Sequence, residues 1–149
     1  MKKSVDLSTA SNAGLAPRLV AMIYDLLLLC AILMLAALPV VLLSGGVPRG
    51  TISHLLYQLY LLAAIFLFFG WFWVHGGQTL GMRAWRLRVT REDGSALSWG
   101  DALLRFLAAV PALLCAGLGY LWILIDRDRL AWHDRISHTR VVRLPKPQQ

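Results

Sequence analysis

Two long apolar blocks dominate the chain: Leu19 to Leu43 carries a single charged residue, Asp25, and Leu55 to Val74 carries none. Each is about as long as the roughly 20 residues a helix needs to cross some 30 Å of hydrocarbon. The pattern predicts two full transmembrane helices, over about 19–43 and 55–74. Pro17 suits the first turn of the first helix, where its missing N–H costs nothing, and Pro39 is placed to kink the far end. Between the blocks, Ser44 to Ser53 holds Gly45, Gly46, Pro48 and Gly50, a short turn-rich connection. The second block ends in Phe66, Phe68, Phe69, Trp71, Phe72 and Trp73, residues suited to a membrane interface.

A third apolar stretch, Ala102 to Ile125, reads differently. It contains Arg105, and Pro111, Gly117 and Gly119 divide it into halves of about nine residues, each too short to cross. A broken, re-entrant or interfacial helical element is expected there. Ahead of it, Trp85, Leu87 and Val89 alternate with Arg86, Arg88 and Thr90, and Asp93-Gly94 offers a turn before Ser95 to Leu97. That pattern predicts a small β-hairpin over 85–97, or else only a solvated loop. The β-branched run 139–144 could join it as a third strand, since a lone hairpin is marginal in water. Ser98 and Asp101 have capping-box spacing. The predicted fold is an all-α integral membrane protein with a small β element: a flexible terminus over 1–17, one membrane domain over 18–144 and a flexible tail over 145–149.

Composition agrees with lipid as the solvent, since 58% of the residues are hydrophobic and 15% charged, against about 25% charged in soluble domains. Lys2 and Lys3 precede the first block, but the polar spacer Ser4 to Pro17 and the length of the block argue for an uncleaved segment. Charge then orients the chain. Lys2, Lys3 and Arg18 precede the first span, Arg83, Arg86, Arg88 and Arg91 follow the second, and Arg49 lies between them. The tail carries Arg127, Arg129, Arg135, Arg140, Arg143 and Lys146. By the positive-inside rule the N-terminus, the 75–101 loop and the C-terminus are cytoplasmic. The net charge of +7 fits anionic lipid headgroups better than nucleic acid, for which no motif is present. Cys30 and Cys115 lie in apolar runs, as small hydrophobes would.

Asp25 is the sharpest chemical signal. A carboxylate within a spanning helix costs at least about 2.5–3.5 kcal/mol at the centre and needs a partner or a water-filled cavity. Arg18 lies about 10 Å back along nearly the same face. Direct pairing along one helix is therefore strained, and Arg105 or a cytoplasmic arginine is the better partner. Asp25 is either an exchangeable intramembrane acid or a packing residue that fixes helix register. Asp134 beside His133 either tunes a proton-accepting imidazole or belongs to a solvated surface of alternating charges running from Asp126 to Arg135. His75 to Gly81 lacks the Lys-Ser/Thr end of a phosphate loop, and its better reading is a tight exit capped by Thr79. The histidines have no metal-ligand spacing, and no catalytic set or cofactor motif stands out; the chain reads as a non-enzyme.

These residues together resemble the RDD family of bacterial membrane proteins, in its small proteobacterial form. The likeness covers about Ala16 to Val142 and rests on Pro17-Arg18-Leu19 with Tyr24-Asp25, Gly77 to Arg83, Leu87-Arg88-Val89 before Asp93-Gly94, and Trp132-His133-Asp134 before Thr139 to Val142. The resemblance implies that the family's naming trio is Arg18, Asp25 and Asp134. Many relatives carry lysines where this chain has Gln78 and Met82. It also implies a place in a bacterial inner membrane and a transport role, with monovalent cation/proton antiport the leading expectation; Arg105 and His133 would support the trio. Since two or three helices enclose no path alone, transport requires a homo-oligomer or another membrane protein. The alternative is a non-transporting adaptor or assembly factor whose polar trio is structural.

Overall fold

The computed structural model describes residues 10–115 and 117–145. Of the ends expected to be flexible, 1–9 and 146–149 lie outside the described residues, whereas 10–17 contain a strand and the start of the first helix. The chain forms strand β1 (Ser11–Asn12), helices α1 (Leu15–Ser44), α2 (Thr51–His75) and α3 (Leu80–Ala84), strand β2 (Leu87–Arg91), helices α4 (Trp99–Leu114) and α5 (Leu118–Leu121), a 3-10 turn (Trp122–Leu124), helix α6 (Trp132–Ile136) and strand β3 (Thr139–Arg143).

Both expected helices form, each a few residues longer than its apolar block and long and apolar enough to cross a membrane. Helix α1 runs through Pro39 and ends at Gly45, whose left-handed backbone (φ 69°) closes the last turn. Its buried residues are Arg18, Ala21 and Asp25, a spacing of three and then four that marks one helix face. Along the rest of α1 and α2, apolar side chains stand exposed, Leu43 by 90% and Met34 by 75%. So much uncovered apolar surface is what a lipid solvent accepts and water does not. Only the N-terminal part of α1 and the C-terminal part of α2 pack against the remainder of the chain, where Gly70 of α2 lets the Trp99 ring approach.

The third apolar element is broken, but not at Pro111. That residue lies on the exposed side of α4, which continues past it to Leu114. Gly117 (φ 74°) adopts the left-handed backbone at the break, and α5 then folds back on α4 so closely that a Cβ on Gly119 would lie 2.5 Å from Ala112 Cβ. Ser98 and Asp101 form the expected capping box at the start of α4.

The β element departs from the expected hairpin. Arg91 N donates to Ser95 O at 3.0 Å, but residues 95–97 form no strand, since Leu97 is buried and Ser98 already caps α4. The partner of β2 is the tail strand β3, within the run 139–144 expected to join it, antiparallel from Leu87↔Arg143 to Arg91↔Thr139. Strand β1 pairs with the other edge of β3, giving the order β1-β3-β2. Segments preceding α1, following α2 and following the third apolar element thus meet in one antiparallel sheet. Leu87, Val89 and Val141 bury their side chains with Ala13, Ala21, Met82 and Leu97, and Trp73 packs against them.

Candidate functional site

Arg18 stands in the first turn of α1, Arg105 in the middle of α4 and Asp134 in the short α6. The fold draws the three into one buried clasp. Arg18 Nη1 lies 2.5 Å from Asp134 Oδ2, and Arg105 Nη1 lies 2.6 Å from Oδ1. Asp134 is fully buried and also accepts from Ala131 N at 3.0 Å, which fixes the start of its own helix. Arg18 donates further to the carbonyls of Ala13 and Arg129, and Arg105 to Thr139 Oγ1. The guanidinium of Arg105 sits 5.3 Å above the Trp73 ring, within cation–π range.

This environment fixes the ionisation of Asp134 and His133. Burial would raise the Asp134 carboxyl, but Arg105 and Arg18 together outweigh it and hold the group far below the usual carboxylate range. Burial, reinforced by Arg105 and Arg18, pushes His133 down to about 3, against the opposing pull of Asp134. His133 Nε2 lies 3.4 Å from Asp134 Oδ1. Near neutral pH the pair is a fixed carboxylate and a neutral ring. A proton-accepting imidazole tuned by Asp134 does not suit a ring pushed so far down.

Asp25 takes neither of the partners expected of it. Arg105 is committed to Asp134, and Asp25 accepts instead from two neutral donors, Thr79 Oγ1 at 2.5 Å and Gly81 N at 2.9 Å. Thr79 caps α3 as expected, its hydroxyl accepting from Met82 N at 3.2 Å. The approach depends on Gly81, because a Cβ there would fall 2.2 Å from Ala21 O. The Gly77 to Arg83 segment therefore does more than end α2: it delivers an uncharged donor pair to Asp25. The hydroxyl of Thr79, two residues after the Gly76-Gly77 pair, was the only sequence signal for it.

A cavity of about 240 Å³ links the two centres. Arg18, Asp25, Thr79, Arg105 and His133 line it, together with apolar side chains from α1, α2, α4 and the sheet. Arg105 Nε and His133 Nδ1 are buried there with no hydrogen-bond partner among the described residues. Because His133 Nε2 faces a carboxylate, Nδ1 is the acceptor of the neutral ring. Among the described residues no group of three His, Cys, Asp or Glu side chains is placed to hold a metal ion.

The remaining charges of the 126–135 segment form the exposed, mutually paired surface that their alternation suggests: Arg127, Asp128, Arg129 and Arg135 are exposed, and Arg135 pairs with Asp126. Asp126 accepts from Leu130 N at 2.9 Å and from Arg135, while Asp128 O accepts from Asn12 Nδ2 at 2.7 Å beside β1. No curated protein and no solved structure matches the chain. The family model for the RDD family matches residues 12–138, which include Arg18, Asp25, Arg105 and Asp134, so the chain belongs to the membrane-associated RDD family.

Proposed function

We propose that this protein is a subunit of a monovalent cation/proton exchange system in a bacterial inner membrane, with Asp25 as its exchangeable group. One observation carries the reading: Asp25 is a buried acid on an apolar helix, beside a cavity, held by two neutral donors. An acid locked to arginine has no use for a proton or a metal cation. One held only by a hydroxyl and an amide can hold either in turn, one proton leaving as one cation arrives. The Thr79 oxygen, 2.5 Å from the carboxylate, offers a second ligand to a cation held there.

In this reading α1 and α2 span the bilayer and the broken third element re-enters from the cytoplasmic face. Shared membership of β1, β2 and β3 in one sheet supports a common side for the N-terminus and tail, and the basic residues around them favour the cytoplasm. Asp134, Arg18 and Arg105 hold the cytoplasmic parts against the spans. A homo-oligomer, or a second membrane protein, closes the path along the uncovered faces of α1 and α2.

The same clasp favours a second reading, an adaptor whose buried charges are purely architectural. Reconstitution in liposomes separates the two. Adding Na⁺, K⁺ or Li⁺ outside should drive proton movement through the wild-type protein, and Asp25→Asn, which keeps an acceptor without the exchangeable charge, should fold and lose it. Exchange at the wild-type rate by well-folded Asp25→Asn protein would remove Asp25 from the mechanism. No cation-driven flux at all would leave the adaptor.

A further inference from the structure

The cavity contains more room and more positive charge than an ion at Asp25 requires. At about 240 Å³ it exceeds the roughly 150 Å³ at which an engineered apolar cavity already binds a benzene-sized ligand. Phe69 of α2 and Phe106, Ala109 and Val110 of α4 supply an apolar wall. Val110 and Met22, which also line it, are themselves partly uncovered, so the cavity communicates with the surface that lipid covers.

Its depth is equally telling. The lining residues of α1 lie between Arg18 and Asp25 and those of α2 are Phe69 and Trp73, so the cavity sits at the sheet end of both long helices. Trp85, Trp99 and Trp122 are exposed around the same end, as indole rings are at the boundary of headgroups and acyl chains. Two arginines face the cavity against the one carboxylate of the clasp, and Arg105 Nε has no acceptor among the described residues. When a proton or cation neutralises Asp25, one positive charge is left uncompensated in a low-dielectric wall.

We propose that the cavity is a binding site for one anionic phospholipid of the surrounding leaflet, its acyl chain against Phe69, Phe106 and Val110 and its headgroup drawn to Arg18 and Arg105. The lipid completes the charge balance and closes the lateral opening, so Asp25 exchanges its proton or cation away from the hydrocarbon. The charge surplus rests on the exchange reading. Asp25→Asn is neutral under any reading and keeps the two separable.

The test uses the full chain in phosphatidylcholine liposomes doped with a photoactivatable phospholipid carrying its diazirine in the acyl chain. Phosphatidylglycerol and phosphatidylcholine versions are compared, and cross-linked residues are mapped by mass spectrometry. The phosphatidylglycerol probe should mark Met22, Phe106 and Val110, whereas the phosphatidylcholine probe should mark chiefly the outer faces of the spans, such as Leu35 and Leu42. Unlabelled phosphatidylglycerol, and not phosphatidylcholine, should compete at the cavity positions. Ala109→Trp, which fills the space, should lower cavity labelling about tenfold, the equivalent of about 1.4 kcal/mol of affinity, and leave outer-face labelling unchanged. Asp25→Asn should label as wild type does or more strongly. Equal cavity labelling and competition by the two headgroups would overturn the proposal, as would cavity labelling undiminished in folded Ala109→Trp protein. Retained anionic-lipid labelling without cation-driven flux would sink the exchange reading while sustaining this one.

Discussion

Asp134→Asn protein is expected to accumulate poorly in membranes and, once purified, to unfold at a much lower temperature than wild type. Asp134 is the shared anion of Arg18 and Arg105, so removing its charge leaves two guanidinium groups within a few ångströms of each other and out of water. Breaking a buried ion pair by deleting one partner typically costs about 3–5 kcal/mol, and here a single deletion disturbs two pairs. Arg105→Met should cost less, since Asp134 keeps Arg18 and the Ala131 amide, and methionine fills much of the vacated space. The ranking is the informative result. Melting temperatures in one detergent, wild type above Arg105→Met above Asp134→Asn, would support a clasp organised around the carboxylate. Equal stability of Asp134→Asn and wild type would mean the three side chains are not paired in the folded protein.

A comparably large loss is expected from a single added methyl group at Gly81. A Cβ there would lie 2.2 Å from Ala21 O and 2.9 Å from Asp25 Oδ1, and the first of these is helix backbone that has no rotamer to change. Forcing extra atoms into such a contact commonly costs about 1–3 kcal/mol, and more where backbone must move. The movement available is withdrawal of α3 from α1, which takes both donors from Asp25. Gly81→Ala should therefore lower thermal stability and abolish cation-driven proton flux together. Gly14→Ala is the matched control: its nearest neighbour would be Arg129 Nη1 at 3.9 Å, an ordinary contact, and its backbone is extended. It should behave as wild type. If Gly81→Ala does so too, α3 does not pack where its hydrogen bonds put it.

The long-range consequences of these residues differ in how far the amino-acid sequence announces them. Hydropathy over 19–43 and 55–74 is a local property, and both helices follow it. The capping pair Ser98 and Asp101 and the Thr79 cap are also local, and both form as their spacing predicts. The hairpin fails because strand pairing is a non-local choice. Leu87, Val89 and their neighbours announce a strand, but nothing within 85–97 reveals that the better partner lies beyond residue 138, or that polar Ser11 and Asn12 would add the third strand. Pro111 misleads for a related reason. A proline costs a helix one amide bond, yet on the exposed side of α4 the chain tolerates it and turns at Gly117 instead.

The candidate site divides along the same line. Arg18, Asp25, Asp134, Arg105 and His133 all reach the cavity region, because charged residues in apolar surroundings are conspicuous in a sequence. Their pairing was not legible. Arg18 joins Asp134 across most of the chain length, and Asp25 is satisfied by a hydroxyl and a backbone amide, groups that carry no charge to betray them. Partner choice here is fixed by the sheet, which brings the tail beside the start of α1, and by the missing side chain at Gly81.

The central claim is that Asp25 gives up a proton as a cation binds. It is tested most directly by adding NaCl, KCl or LiCl to concentrated, weakly buffered, detergent-purified protein containing a pH-indicator dye, with choline chloride as the ionic-strength control. Wild-type protein should release close to one proton per chain with at least one of the three metal cations and none with choline, and Asp25→Asn should release none. Proton release of the same size from Asp25→Asn, or no release from wild-type protein shown to be folded, would contradict the account.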